Sequence, residues 1–148
     1  MKYIEAPKDY NGTERSLFLA GGITGCINWQ ADLADLLKDE KIVLLNPRRI
    51  NFPIDDQNAA PEQIKWEYTH LQKADAVSFW FPKETVCPIT LYELGVQIAK
   101  DKPLFMGIDP EYSRRLDVEI QTRLERPEIK IEYNLNRLAD QIKQWVRK

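Results

Sequence analysis

Glu93 is the side chain whose position most suggests chemistry. It lies in PITLYELGVQIAK, residues 88–100, where Leu91, Leu94 and Ile98 follow i, i+3, i+7 and so share one face of a helix. An acid among them, one turn from the expected helix start, has two readings. It is a surface acid complementing the positive end of the helix dipole, or a carboxylate that the same dipole keeps ionised beside a ligand. In the second reading it can act as a nucleophile. Gly95, two positions on, leaves room for a neighbouring segment or a ligand. Glu67 is a second candidate. It falls three residues after Ile64 and four before Leu71, so the spacing predicts it on a buried stripe, where an acid is costly unless paired or used. Lys65 or Lys73 would be its partners in a plain salt bridge. Asp75, just before an apolar run, reads as a loop or cap acid, or as a holder of a substrate hydroxyl.

Other groups are candidates for binding. FLAGGITG, residues 18–25, supplies Gly21, Gly22, Ile23 and Thr24 at the end of an apolar run. Glycines there allow close approach to a ligand, or simply make a tight turn. The pattern is neither GxGxxG nor a Walker loop, so a dinucleotide or triphosphate is not indicated. Arg48, followed by Arg49, is able to fork onto a carboxylate or phosphate, or pairs with Asp55 and Asp56. Trp80 and Phe81 are able to stack on a flat base, with a place in the core as the alternative. His70, the lone histidine, reads as a surface residue. Cys26 and Cys87 have neither metal spacing nor a disulfide framework, and Cys87 reads as a small apolar side chain. No cofactor and no metal are implied.

These groups need a scaffold. Five apolar runs, 17–20, 42–45, 76–81, 103–106 and 129–133, alternate with helical patterns. Trp29, Leu33, Leu36 and Leu37 mark one helix. Ile64, Tyr68 and Leu71 mark the next, and 88–100 the third. Residues 111–125 hold a less regular one, and 135–146 a clean closing helix. Strand alternating with helix predicts an α/β three-layer sandwich with a five-stranded parallel sheet. Ligands of such sheets bind beyond the carboxyl ends of the strands. The loops 21–28, 46–60, 82–90 and 107–113 are therefore the ones to search.

Bulk properties set limits. The 148 residues suit one domain, 1–148, with 43% hydrophobic and 30% charged residues. A net charge of −2 gives no basic surface for long nucleic acid. No apolar run is long enough for a bilayer and no secretory leader is evident, so a cytoplasmic setting is expected.

Taken in order, FLAGGITG, LLNPRR, WEYTHLQKADAVSFWFP and CPITLYELG closely resemble the nucleoside 2-deoxyribosyltransferase-like family, over residues from about 16 to about 108. The resemblance implies a flavodoxin-like, Rossmann-like fold and cleavage of the N-glycosidic bond of a nucleoside or nucleoside monophosphate. It implies Glu93 as the nucleophile, assistance at base or sugar from Glu67 and Asp75, and Gly21, Gly22, Ile23 and Thr24 lining the sugar or its 5′ substituent. Relatives assemble as dimers or larger, and Trp29 and Trp66 read as exposed aromatics compatible with that. The chain departs from the family in lacking a tyrosine in the first loop, for which Thr24 or Tyr92 are the available substitutes. Three readings follow. The first is transfer of 2-deoxyribose between bases. The second is an N-glycosidase acting on a nucleoside or its 5′-monophosphate, with Gly22, Thr24 and Arg48 reading the phosphate. The third is a nucleotide-binding module without catalysis.

Overall fold

The apolar runs form strands because helices cover both of their faces. The computed structural model describes residues 1–148. Its elements are β1 (Lys2–Glu5), β2 (Ser16–Gly21), α1 (Trp29–Leu36), β3 (Val43–Asn46), α2 (Ala59–Lys73), β4 (Ala76–Phe81), α3 (Pro88–Ile98), β5 (Leu104–Ile108), α4 (Arg115–Glu125), β6 (Ile131–Glu132) and α5 (Leu135–Val146). All strand pairs are parallel, in the order β1-β3-β2-β4-β5-β6. Without the first strand this is the flavodoxin-like order, which reverses direction between β2 and β4.

Side-chain alternation divides the interior into two apolar layers. Leu17, Leu19 and Trp80 pack with Trp29, Leu33, Leu138 and Ile142 beneath α1 and α5. Phe18, Ala20, Phe79 and Phe81 pack with Trp66, Leu94 and Val118 beneath α2, α3 and α4. No helix is long and apolar enough to cross a membrane.

Four expectations are corrected here. The sheet has six strands rather than five. The sixth, Lys-Tyr-Ile-Glu, is a short edge strand with charged ends that gains its structure from pairing with β3, Tyr3 opposite Leu44. The buried face of α2 is not Ile64–Tyr68–Leu71, since Ile64 and Tyr68 are 63% and 67% exposed. Gln63, Trp66 and His70 turn inward beside Leu71. The segment before β2 selects that face. The Trp66 indole N–H donates to the Lys8 carbonyl at 2.9 Å, and Trp66 stacks on His70 at 4.1 Å. His70 Nδ1 lies 2.9 Å from the Trp66 carbonyl, while its Nε2 accepts from the Tyr10 N–H at 3.1 Å. That fixes the neutral tautomer with its proton on Nδ1, so the histidine is a buried clamp, not a surface residue. Finally, Trp29 and Trp66 are both buried. The exposed apolar side chains of α2, α3 and α4 are others, described below.

Candidate active site

The carboxyl ends of β2, β3 and β4 open into a cleft of about 290 Å³ at the reversal of strand order. Gly21, Gly22, Ile23 and Thr24 line it from β2, Pro47 from β3 and Glu67 from α2. Thr85, Cys87, Ile89, Thr90 and Glu93 line it from the loop after β4 and from α3. Glycine is required on the floor. The Gly22 carbonyl points inward, accepting from Trp29 Nε1 at 2.8 Å and Gln30 Nε2 at 3.1 Å. A Cβ on Gly22 would lie 2.7 Å from Pro82 Cγ and 3.1 Å from both cysteine sulfurs. Opposite this floor, Cys87 adopts a left-handed φ of 53° and Pro88 opens α3. The Tyr112 hydroxyl holds that loop by donating to the Val86 carbonyl at 2.7 Å.

Two carboxyls share the cleft. Because α3 begins at Pro88, Glu93 lies in its second turn, not its first. The dipole that was expected to keep it ionised acts within the first turn and is spent before it. Burial dominates instead. It pushes Glu93 up to about 8, with the nearby Glu67 charge adding to the rise. Glu67 is also raised by burial, against the pull of a hydrogen bond from Gln63. Gln63 Nε2 donates to Glu67 Oε1 at 2.8 Å and to the Pro47 carbonyl at 2.6 Å. No lysine salt bridge forms at Glu67. The two acids thus form a coupled pair whose environments favour retaining a proton near neutrality.

The fold does not bring every candidate to the cleft. Asp75 sits at the opposite end of the sheet, where β4 begins. Its Oδ2 accepts from the Ser16 backbone N–H at 2.7 Å and the Ser16 hydroxyl at 2.9 Å, tying the starts of β2 and β4 together. An alanine at 75 is expected to cost about 1–2 kcal/mol in denaturant unfolding and to leave turnover within about twofold. A large loss of kcat with unchanged stability would return Asp75 to the chemistry.

Arg48 turns away as well. Its guanidinium donates to the carbonyls of Cys26 and Ile27 at 2.9 and 2.8 Å and to Gln30 Oε1 at 3.2 Å, so it braces the segment after the glycine turn. Trp80 and Phe81 are core residues on opposite sheet faces, Phe81 packing against Tyr112 with ring centroids 5.2 Å apart. Tyr92 is 74% exposed and does not reach Glu93's side of the helix, whereas Thr24 does line the cleft. Burial pushes the Cys87 thiol up to about 12, consistent with a small apolar role.

Gln63, Pro47, Thr85 and Thr90 escaped the sequence reading. Gln63 stands one helical turn before Glu67, and that i, i+4 spacing was the available signal.

Fold and cleft together define a flavodoxin-like α/β protein with a cleft lined by two carboxyls at the reversal point of its sheet. The chain belongs to the nucleoside 2-deoxyribosyltransferase-like family, whose family model matches residues 14–112 and so includes every residue lining the cleft. No curated protein matches the chain.

Proposed function

We propose that the protein transfers 2-deoxyribose between nucleobases through an ester on Glu93. The observation that carries this reading is the pairing of Glu93 with Glu67 across one cleft floored by a glycine turn. In the first step a Glu93 oxygen attacks the anomeric carbon on the face opposite the base. The C1′–N bond breaks, its electron pair leaves with the base, and Glu67 protonates the departing ring. In the second step a ring nitrogen of the acceptor base attacks the same carbon, Glu93 leaves as carboxylate, and the acceptor's proton passes to Glu67. The logic is that of a retaining glycosidase with a base in place of water. One proton shared by the pair suffices, provided it sits on Glu67 when Glu93 attacks.

The charge of the cleft supports a neutral substrate. No lysine or arginine is among the lining residues, and Arg48 is committed to backbone carbonyls. A 5′-phosphate would meet two acids and no cation, whereas a free 5′-hydroxyl finds the hydroxyls of Thr24, Thr85 and Thr90. Incubation with each 2′-deoxynucleoside, with and without acceptor adenine, tests the reading. Exchanged nucleoside is the expected product. Free deoxyribose whatever the acceptor makes the protein a hydrolase, turnover of monophosphates alone refutes the neutral substrate, and ligand-induced thermal stabilisation without product leaves a binding module.

A second copy of the chain is proposed to cover the α2–α4 face. Helices α1 and α5 expose no large apolar side chain, but α3 exposes Ile89, Tyr92 and Val96, α2 exposes Ile64 and Tyr68, and α4 exposes Leu116, Ile120 and Leu124. These eight side chains lie on the three helices that cover one face of the sheet, and a standard interface takes ~800 Å² per partner. Sedimentation is expected to give a dimer, and Tyr92→Glu a folded monomer. A wild-type monomer at 100 µM-scale concentrations, of order 10⁻⁴ M, would remove this partner, because an interface of that size ordinarily holds at micromolar affinity or better.

A further inference from the structure

We propose that Gln63 is a positioning residue that fixes which oxygen of Glu67 delivers the proton to the leaving base, an inference that rests on the reading above. Gln63 is 9% exposed and sits on the inward face of α2, a place that ordinarily belongs to an apolar side chain. Its amide nitrogen spans two acceptors, the Pro47 carbonyl at 2.6 Å and Glu67 Oε1 at 2.8 Å. A proline carbonyl only accepts, so the nitrogen has to face it. Flipping the amide would set oxygen against oxygen at Pro47 and lose the bond to an ionised Glu67. The Pro47 carbonyl is itself held in place. Asn46 bridges across it, accepting from the Arg48 N–H and donating to the Arg48 carbonyl, both at 3.0 Å.

The arrangement has a cost that a packing role does not explain. Gln63 Oε1 is buried and has no partner, and an unsatisfied buried acceptor is less stable than an apolar side chain of the same shape. What the amide gains in exchange is control of Glu67. An oxygen that accepts an N–H acts as the carbonyl of a protonated carboxyl. A proton on Glu67 therefore resides on Oε2, the oxygen left free for the cleft. The other titratable groups around this carboxyl are Glu93 from α3 and the neutral Cys87 thiol at the start of α3. The glycine turn and the Pro47 loop add no charged side chain to the cleft, since Arg48 faces residues 26–30.

The test is Gln63→Met, which keeps length and volume and removes the donor. In ligand-free protein carrying ¹³C-labelled glutamate carboxyls, assigned with Glu67→Gln, the Glu67 titration midpoint is expected to rise relative to wild type. In kinetics, kcat with 2′-deoxyinosine is expected to fall about tenfold at unchanged KM. With 7-methyl-2′-deoxyguanosine, whose base leaves as a neutral molecule without a proton, kcat is expected to stay within twofold. An unmoved Glu67 midpoint overturns the proposal whatever the turnover. Equal losses on both substrates overturn it too, because they mark a purely structural role. If wild type turns over no nucleoside, the reading of function fails while the titration still decides the clamp. Should Gln63→Met not fold, Gln63→Glu serves, since a protonated acid has one donor for two acceptors. The Glu67 midpoint is expected to move in the same direction.

Discussion

Exchanging Glu93 for glutamine is expected to lower kcat by about 10⁴-fold or more while making the fold firmer at alkaline pH. The loss follows from removing the atom that forms the ester; an amide oxygen of the same shape cannot displace a base. The gain follows from linkage. In the folded protein Glu93 holds its proton up to about 8, well above an ordinary glutamate at 4.5. A group whose folded pKa is raised contributes stability that is fully present below the unfolded value. That stability is lost as pH rises through the folded one. Wild type should therefore lose stability between pH 4.5 and about 8, by an amount whose upper bound is on the order of 5 kcal/mol. Glu93→Gln does not titrate and escapes this loss. Thermal unfolding at pH 5 and pH 9 is expected to show the variant's advantage growing with pH. A variant that is inactive and less stable at pH 9 would mean that Glu93 supports the fold instead.

The same pair sets the pH dependence of the wild type. Transfer from an ordinary base needs one proton on the pair, so kcat/KM with 2′-deoxyinosine should fall as that proton leaves near pH 8. With the N1-protonated form of 7-methyl-2′-deoxyguanosine only the ionised Glu93 is required, and kcat/KM referred to that form of the substrate should instead rise through the same range. Opposite slopes for the two substrates are the signature of shared acid and nucleophile. Parallel slopes would mean that Glu67 does not protonate the base.

The sequence exposed the sheet's central strands because they are buried on both faces and read as unbroken apolar runs. It hid β1, whose four residues carry charge at both ends and depend on β3 for their hydrogen bonds. It also misdirected the face of α2. Periodicity alone made Ile64 and Tyr68 interior, but an apolar residue left outside is unremarkable to local chemistry, and only the segment holding Trp66 and His70 decides the rotation. At the candidate site, the glycine turn and Glu93 line the cleft as their spacing suggested, whereas Glu67 lines it although the Ile64–Tyr68 stripe that singled it out faces outward. Asp75 and Arg48 were not, since whether a polar side chain faces a cleft or its own backbone depends on partners far off in sequence. Asp75 finds Ser16, 59 residues away, and Arg48 finds the carbonyls 21 and 22 residues before it. Gln63 offered only its i, i+4 spacing to Glu67, because nothing in a glutamine's type announces burial.

Among single-atom additions, Gly21→Ala is expected to have the largest effect on the fold. Gly21 ends β2 opposite Trp80, and a Cβ there would lie 2.4 Å from the Trp80 carbonyl oxygen and 2.4 Å from Trp29 Cζ2. Neither neighbour is free to retreat. The carbonyl belongs to the central strand β4, and Trp29 is fully buried and anchored by its indole N–H on Gly22. Relief therefore requires the strand end to shift, which also moves the cleft floor at Gly22. A cost of about 3 kcal/mol or more is expected, roughly 6–12 °C in Tm. It should be accompanied by a rise in KM in whatever protein remains folded. Gly95→Ala is the control, with the opposite sign. A Cβ on Gly95 meets nothing within 4 Å, so helix propensity alone should raise stability by about 0.5–1 kcal/mol. If Gly21→Ala unfolds no more easily than wild type, then the β2 strand end and the Trp29 anchor are softer than their contacts imply. A floor that soft would not hold a sugar carbon in line with Glu93.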